Sequence, residues 1–115
     1  MPLIILHTNQ PIADEASTSL LTALTHLASK HLNKPKEYVQ VLVHPSTTMT
    51  FAGTAEPTAW VEVRSLGLPE GSPQQLTEGL CQILEDELGI PPARVFANFM
   101  DMPRTHWGWD RRTFA

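Results

Sequence analysis

The sequence is poor in cysteine, in basic residues and in long apolar runs. Cys81 is the only cysteine among 115 residues, so no disulfide can form within the chain and a Cys-x-x-Cys centre is excluded. Eight Lys and Arg residues against twelve Asp and Glu residues give a formal net charge of −4, which argues against a nucleic-acid-binding surface. No apolar stretch reaches the length of a membrane span, and no basic segment followed by an apolar one marks an export signal. Because a single cysteine suits a reducing compartment, we expect a cytoplasmic protein.

The histidines do not have the spacing of metal ligands. His26 and His31 are five residues apart, so they do not share a face of a helix, and the other three are scattered along the chain. We therefore predict no metal site.

What the sequence does contain is a strand–helix–strand pattern that occurs twice. Short apolar or alternating stretches predict strands over residues 3–6, 39–43, 59–64 and 95–100. Between the members of each pair, leucines recur with the 3.6-residue period of a helix. The start and stop signals of the helices are Asp14 or Ser17 and Asn33 with Pro35 for the first, and Ser72 (N-cap), Pro73 (N1), Gln75 (N3) and Gly89 for the second.

The two halves repeat with a shift of 56 residues, which carries Pro35 to Pro91 and Leu24 to Leu80. Each strand–helix–strand connection predicts a right-handed parallel unit. We therefore predict an α+β fold, a two-layer sandwich in which two βαβ repeats form a four-stranded mixed sheet with both helices on one face. The predicted organisation is a single domain over 1–115, with halves at about 2–45 and 58–102 and a C-terminal segment 103–115.

Such an architecture leaves one face of the sheet without helices. Strand alternation places the valines of the second strand on the helix side and Leu42, Phe96 and Met100 on the other side. That side is too apolar to be left in water, so we predict that subunits associate through it. Asn98 is a polar residue in the apolar fourth strand, and its amide either forms a hydrogen bond between subunits or contacts a ligand.

Pro2 directly precedes the first apolar strand. If Met1 is removed, Pro2 becomes a secondary amine in an apolar setting, where burial lowers its pKa and makes it a candidate general base. The alternative is that Pro2 starts an edge strand, where its missing N–H costs nothing.

Motifs that carry a family resemblance run along the whole chain. They are Pro2, Thr8-Asn9 with Pro11, Lys34-Pro35, the segment 49–57, Ser65-Leu66-Gly67, Arg94-Val95, Asp101-Met102, and Gly108-Trp109 with Thr113-Phe114-Ala115. In these motifs the sequence resembles the macrophage migration inhibitory factor family of the tautomerase superfamily. The resemblance implies a homotrimer with active sites at its subunit interfaces, keto–enol tautomerisation of phenylpyruvate-like α-keto acids, and neither a metal nor an organic cofactor.

The resemblance also implies roles for individual residues. Pro2 matches the catalytic N-terminal proline. Lys34 matches a lysine that contacts the carboxylate and oxygen of the substrate, where a lysine after a helix is otherwise a solvated partner of the helix dipole. Leu66 matches a residue whose backbone lines the pocket, and Asn98 matches an asparagine that reaches in from the neighbouring subunit.

Three positions depart from the mammalian members. Phe96 stands where they have tyrosine, so the aromatic wall is kept and the hydroxyl is lost. Trp107 stands where they have valine, which implies a bulkier pocket rim, although either aromatic side chain could instead belong to the core. Residues 57–60 replace a Cys-x-x-Cys, which removes any thiol-redox activity.

Two other functions compete with the enzyme. One is a trimeric, cytokine-like ligand for a receptor, which the absence of an export signal weakens, although the family is secreted by a non-conventional route. The other is a trimeric binding or scaffold protein without turnover. An uncleaved Met1 would favour the last, because the Pro2 nitrogen would then be an amide without basicity.

Overall fold

The structure, a computed structural model, describes residues 1–115 and contains two strand–helix–strand units followed by a hairpin. The elements are β1 (Leu3–Thr8), α1 (Asp14–Leu32), β2 (Gln40–His44), β3 (Ala59–Ser65), α2 (Ser72–Leu88), β4 (Val95–Asp101), and the hairpin strands β5 (Gly108–Trp109) and β6 (Arg112–Thr113). The four predicted strands and two predicted helices are confirmed, with strand bounds that differ by one or two residues.

The first helix begins without a side-chain cap. Its N-cap is Ala13, which forms no side-chain hydrogen bond, whereas Asp14 is already helical and the Ser17 hydroxyl donates to the Ala13 carbonyl at 3.2 Å. The prediction that Asp14 or Ser17 caps α1 was therefore wrong. Asn33 ends the helix as predicted, because its left-handed conformation (φ 53°) lets its N–H donate to the Ser29 carbonyl.

The second helix begins one residue earlier than predicted. Gly71 is the N-cap, in a left-handed conformation (φ 80°) that favours glycine. Ser72 is consequently the first helical residue, and its hydroxyl is fully buried without a hydrogen-bond partner. The prediction that Ser72 is the N-cap was wrong. Gly89 (φ 66°) ends the helix as predicted.

The sheet is mixed and has the order β2-β1-β3-β4. β1 and β2 are parallel, β3 and β4 are parallel, and the two units meet through the antiparallel pair of β1 and β3. The prediction of two parallel units in one mixed sheet is confirmed. β1 is thus a central strand, and the alternative that Pro2 starts an edge strand was wrong.

Both helices cover the same face of the sheet. The core is formed by apolar side chains of β1 and β3 and of the two helices, and the valines of β2 pack against it. The fully buried side chains include Ile4, Leu6, Val61, Val63, Leu20, Leu24, Leu32, Leu76, Leu80, Leu84 and Ile90. On the other face Leu42, Phe96 and Met100 are 41%, 60% and 45% exposed. The prediction that this face is open and apolar in the single chain is confirmed.

The repeat is not uniform along the chain. Leu3 is opposite Gln40 in the first unit, and Trp60 is opposite Phe96 in the second. Gln40 and Phe96 are 56 residues apart, but Leu3 and Trp60 are 57 apart. The shift of 56 therefore holds for the second strand of each unit, and the connection from the first strand to the helix is one residue shorter in the second unit.

Candidate functional site

The chain start is buried at one end of the central strand. Pro2 is buried and its carbonyl accepts a hydrogen bond from the Gln40 amide at 3.0 Å, which ties the residue to β2. Met1 is half-buried in front of it. The Pro2 ring is therefore fixed by the sheet rather than by a flexible terminus.

Two cavities meet at this point. The first, of about 370 Å³, is lined by Met1, Pro2, Tyr38, Trp107, Trp109 and Phe114 among others. The second, of about 470 Å³, is lined by Met1, Lys34, Leu66, Arg104, Phe114 and their neighbours. Met1 and Phe114 are common to both, so removal of Met1 would take away one of the two residues shared by the cavities.

Lys34 approaches the chain start from the end of α1. The left-handed Asn33 ends the helix, and the next residue is held by its amide, which donates to the Ser29 carbonyl at 3.2 Å. Burial, and then the positive charge of Lys34, hold the pKa of the Met1 amino group below its ordinary value. An amine at this position is therefore biased towards its neutral form.

Leu66 lies where β3 leaves the sheet. The Met102 amide donates to the Ser65 carbonyl at 2.8 Å, and the Gly67 amide donates to a carboxylate oxygen of Asp101 at 3.0 Å. These bonds join the segments after β3 and β4 into one wall of the second cavity.

Aromatic side chains form the wall of the first cavity. The rings of Trp109 and Phe114 are stacked with centroids 5.8 Å apart, and Tyr38 meets Trp109 edge-on at 6.0 Å. The Phe114 amide donates to the Trp107 carbonyl at 3.2 Å, which folds the hairpin back towards the chain start. Trp107 lines this cavity together with Pro2, so the two predicted site residues are neighbours.

Phe96 and Asn98 lie elsewhere in the single chain. Leu3 is opposite Arg64, and Arg64 is opposite Met100, so the chain start is level with the end of β4. Phe96 is four residues back from Met100, about 13 Å along the strand, and β4 is two strand spacings, about 10 Å, from β1. The Phe96 ring instead contacts the ring of Phe51, with centroids 4.8 Å apart.

The six predicted residues thus form two groups. Pro2, Lys34, Leu66 and Trp107 surround the chain start, whereas Phe96 and Asn98 lie on the open face of the sheet. One chain does not bring the two groups together.

Sequence reasoning missed Tyr38 and Arg104. Tyr38 lies in a short 3-10 turn four residues after Lys34, and this spacing was the one available signal. Arg104 is an exposed residue in the turn before the hairpin, and its Nε donates to the Phe114 carbonyl at 2.8 Å. No periodicity or motif distinguishes Arg104 from a solvated surface charge.

Other reactive groups of the chain do not form a second centre. No three His, Cys, Asp or Glu side chains are grouped as metal ligands. Burial, and to a lesser extent Glu85, raise the pKa of the Cys81 thiol, which makes it a poor nucleophile. No helix is both long enough and apolar enough to cross a membrane.

Comparison with known proteins places the chain in a family. The family model described as macrophage migration inhibitory factor matches residues 1–115. The chain is 37% identical over 116 residues to the macrophage migration inhibitory factor of Rattus norvegicus, with 100% of both chains covered.

Solved structures agree with this assignment. A macrophage migration inhibitory factor homologue from Prochlorococcus marinus is 38% identical, with a TM-score of 0.93 over 98% of this chain and 99% of that one. A protein of the same kind from Entamoeba histolytica, at 23% identity, shares the fold with a TM-score of 0.92 over 97% of each chain. The chain belongs to the macrophage migration inhibitory factor family, whose fold is that of the tautomerase superfamily.

Proposed function

We propose that the protein is a keto–enol tautomerase that acts on phenylpyruvate-like α-keto acids, with the secondary amine of Pro2 as the base after Met1 has been removed. The observation that carries the proposal is the convergence of a buried Pro2, Lys34 and two cavities at the chain start. Membership of the family supports isomerase chemistry of this general kind.

The reaction needs a base for the proton on the carbon next to the keto group, and a stabilised oxygen for the resulting negative charge. The neutral Pro2 nitrogen takes this proton, and the electron pair of the broken C–H bond forms the C=C bond while the carbonyl electrons move to oxygen. The protonated nitrogen then gives its proton to that oxygen. The enol leaves, the amine is neutral again, and no electron or proton is gained overall.

Lys34 has two tasks in this reaction. Its ammonium binds the carboxylate of the keto acid and favours the enolate through its positive charge. The same charge disfavours a protonated amine beside it, as it does for the Met1 amino group. Pro2 is therefore available as a base near neutral pH.

The remaining site residues come from a second subunit in this proposal. Phe96 and Asn98 lie too far from the Pro2 of their own chain, and they lie on the apolar face that needs a cover. A homotrimer in which the open faces meet neighbouring subunits buries this face and brings Phe96 and Asn98 to the Pro2 of another subunit. Family membership supports this assembly.

Substitution of Pro2 by glycine tests the proposal. The Met1-free state of both proteins is first established by intact mass spectrometry, and enol formation from phenylpyruvate is then compared. Loss of the secondary amine is expected to lower kcat by about 10²- to 10⁴-fold, the usual contribution of a positioned acid–base group. Equal rates in Met1-free wild type and Pro2→Gly would refute the role of Pro2.

A binding role is the second candidate, and the name of the curated relatives, macrophage migration inhibitory factor, favours it. In that case the trimer is a cytokine-like ligand whose surface, and not the Pro2 amine, is recognised. A wild-type protein that binds a receptor and shows no turnover, with affinity unchanged by Pro2→Gly, would support this role over the enzyme.

A further inference from the structure

The second cavity contains two cations. Lys34 comes from the end of α1 and Arg104 from the turn before the hairpin, and both line the same cavity as Met1 and Leu66. The ion pairs of the chain are His7–Glu62 and Arg64–Glu62, so neither Lys34 nor Arg104 is within 4.0 Å of a carboxylate. Two cations without partners at one cavity are a feature of anion-binding sites.

The surroundings of the cavity do not cancel this charge. Asp101 is the one acidic residue in its lining, and an oxygen of its carboxylate already accepts a hydrogen bond from the Gly67 amide. The chain as a whole carries −4, so the positive charge here is local and opposite to the net charge. A ligand with one carboxylate would use only one of the two cations.

The Arg104 side chain is held in place while part of it stays free. Its Nε donates to the Phe114 carbonyl at 2.8 Å, and this is the one hydrogen bond that the guanidinium forms within the protein. Both terminal nitrogens therefore have no protein acceptor. A guanidinium fixed through Nε presents these nitrogens as a fork that matches the two oxygens of a carboxylate.

We propose that Arg104 binds a second carboxylate, and that the substrates of this protein include dicarboxylic α-keto acids. The inference rests on the proposed tautomerase function: Lys34 binds the carboxylate next to the keto group, beside Pro2, and Arg104 binds the carboxylate at the other end. A cavity of about 470 Å³ is within the range of small-ligand sites and accommodates a short diacid between the two cations.

The kinetic test compares oxaloacetate, a dicarboxylic keto acid, with phenylpyruvate, which has one carboxylate. Arg104→Gln is expected to lower kcat/KM for enolisation of oxaloacetate by about 10- to 100-fold, the usual effect of losing a hydrogen-bonded charge partner, and to change the value for phenylpyruvate by less than about threefold. Arg104→Lys should recover part of the loss, because it keeps the charge without the fork.

Arg111→Gln is the matched control. It removes the same charge from an exposed residue in the turn between β5 and β6, outside the cavity that Lys34 lines, and should leave both substrates unaffected. Equal losses for oxaloacetate and phenylpyruvate, or no loss for either, would overturn the assignment of Arg104 while leaving the Pro2 chemistry intact.

A binding measurement keeps the inference testable if wild type turns over neither substrate. Succinate and butyrate differ in one carboxylate, and their affinities for the Met1-free protein can be compared by titration calorimetry. Wild type should bind succinate about tenfold more tightly than butyrate, and Arg104→Gln should remove this preference. A wild-type protein without the preference would refute a second carboxylate site.

Discussion

At the scale of single residues, the charge of Lys34 is the clearest lever on the chemistry. Lys34→Gln removes a positive charge beside the amine, so the pKa of Pro2 should rise in the Met1-free protein. Since only the neutral amine is a base, the acid limb of the pH profile of kcat/KM should move to higher pH, and KM should increase because the carboxylate loses its partner.

Lys36→Gln is the control for this prediction. Lys36 is an exposed lysine two residues further along the chain, in the 3-10 turn before β2, and it lines neither cavity at the chain start. Its substitution should leave the pH profile in place. An unmoved acid limb in Lys34→Gln would contradict the electrostatic role of Lys34.

The sequence predicts site residues when a residue type carries its own chemistry. Pro2 is conspicuous because a terminal proline offers a secondary amine, and Lys34, Leu66 and Trp107 follow from the family motifs. Arg104 escapes such reasoning because its relevance depends on one hydrogen bond to the carbonyl of Phe114, ten residues away, which fixes it over a cavity that no local pattern encodes.

At the scale of elements, helix bodies are predictable and helix starts are less so. Leucine periodicity fixes which face of α1 and α2 is buried, because the same side chains must meet the sheet. The start of α2 depends on the backbone of Gly71, whose left-handed conformation makes it the N-cap and moves Ser72 into the helix. Two residues with capping propensity stand side by side here, and the sequence does not rank them.

Ser72→Ala separates the two possible starts of α2. A serine N-cap is worth about 1 kcal/mol, whereas removal of a buried hydroxyl without a hydrogen-bond partner is nearly neutral or stabilising. We expect the free energy of unfolding, measured by urea denaturation, to stay within about 0.5 kcal/mol of wild type or to increase. A loss of 1 kcal/mol or more would indicate that Ser72 caps the helix.

At the scale of the whole molecule, the repeat and the open face make the architecture predictable from one chain. What one chain does not contain is the neighbour of Phe96 and Asn98, because the two residues complete a site only across an interface. The pleat correctly identifies the face on which they lie, and the distance from Pro2 along the sheet supports the need for a second subunit.

Leu42→Glu tests the assembly. Leu42 is 41% exposed on the open face, so a carboxylate there would have to be desolvated when subunits associate. Light scattering should find a trimer for wild type and monomers for Leu42→Glu, together with loss of tautomerase activity.

Leu21→Glu is the matched control for Leu42→Glu. Leu21 is 38% exposed but belongs to α1, in the helix layer, so its substitution should leave the trimer intact. Dissociation by both variants, or by neither, would contradict assembly through the open face.

The register of the strand pairs has a consequence for how the two halves have diverged. With a shift of 57 in the first strand of each unit, Pro2 corresponds to Ala59, and with 56 after it Lys34 corresponds to Ile90; both counterparts are buried apolar residues. A chain has only one amino terminus, so an internal copy of the unit cannot inherit a terminal amine. Duplication therefore released the second half from the chemistry of the first, and left its outer strand, with Phe96 and Asn98, free to specialise in serving the amine of another molecule.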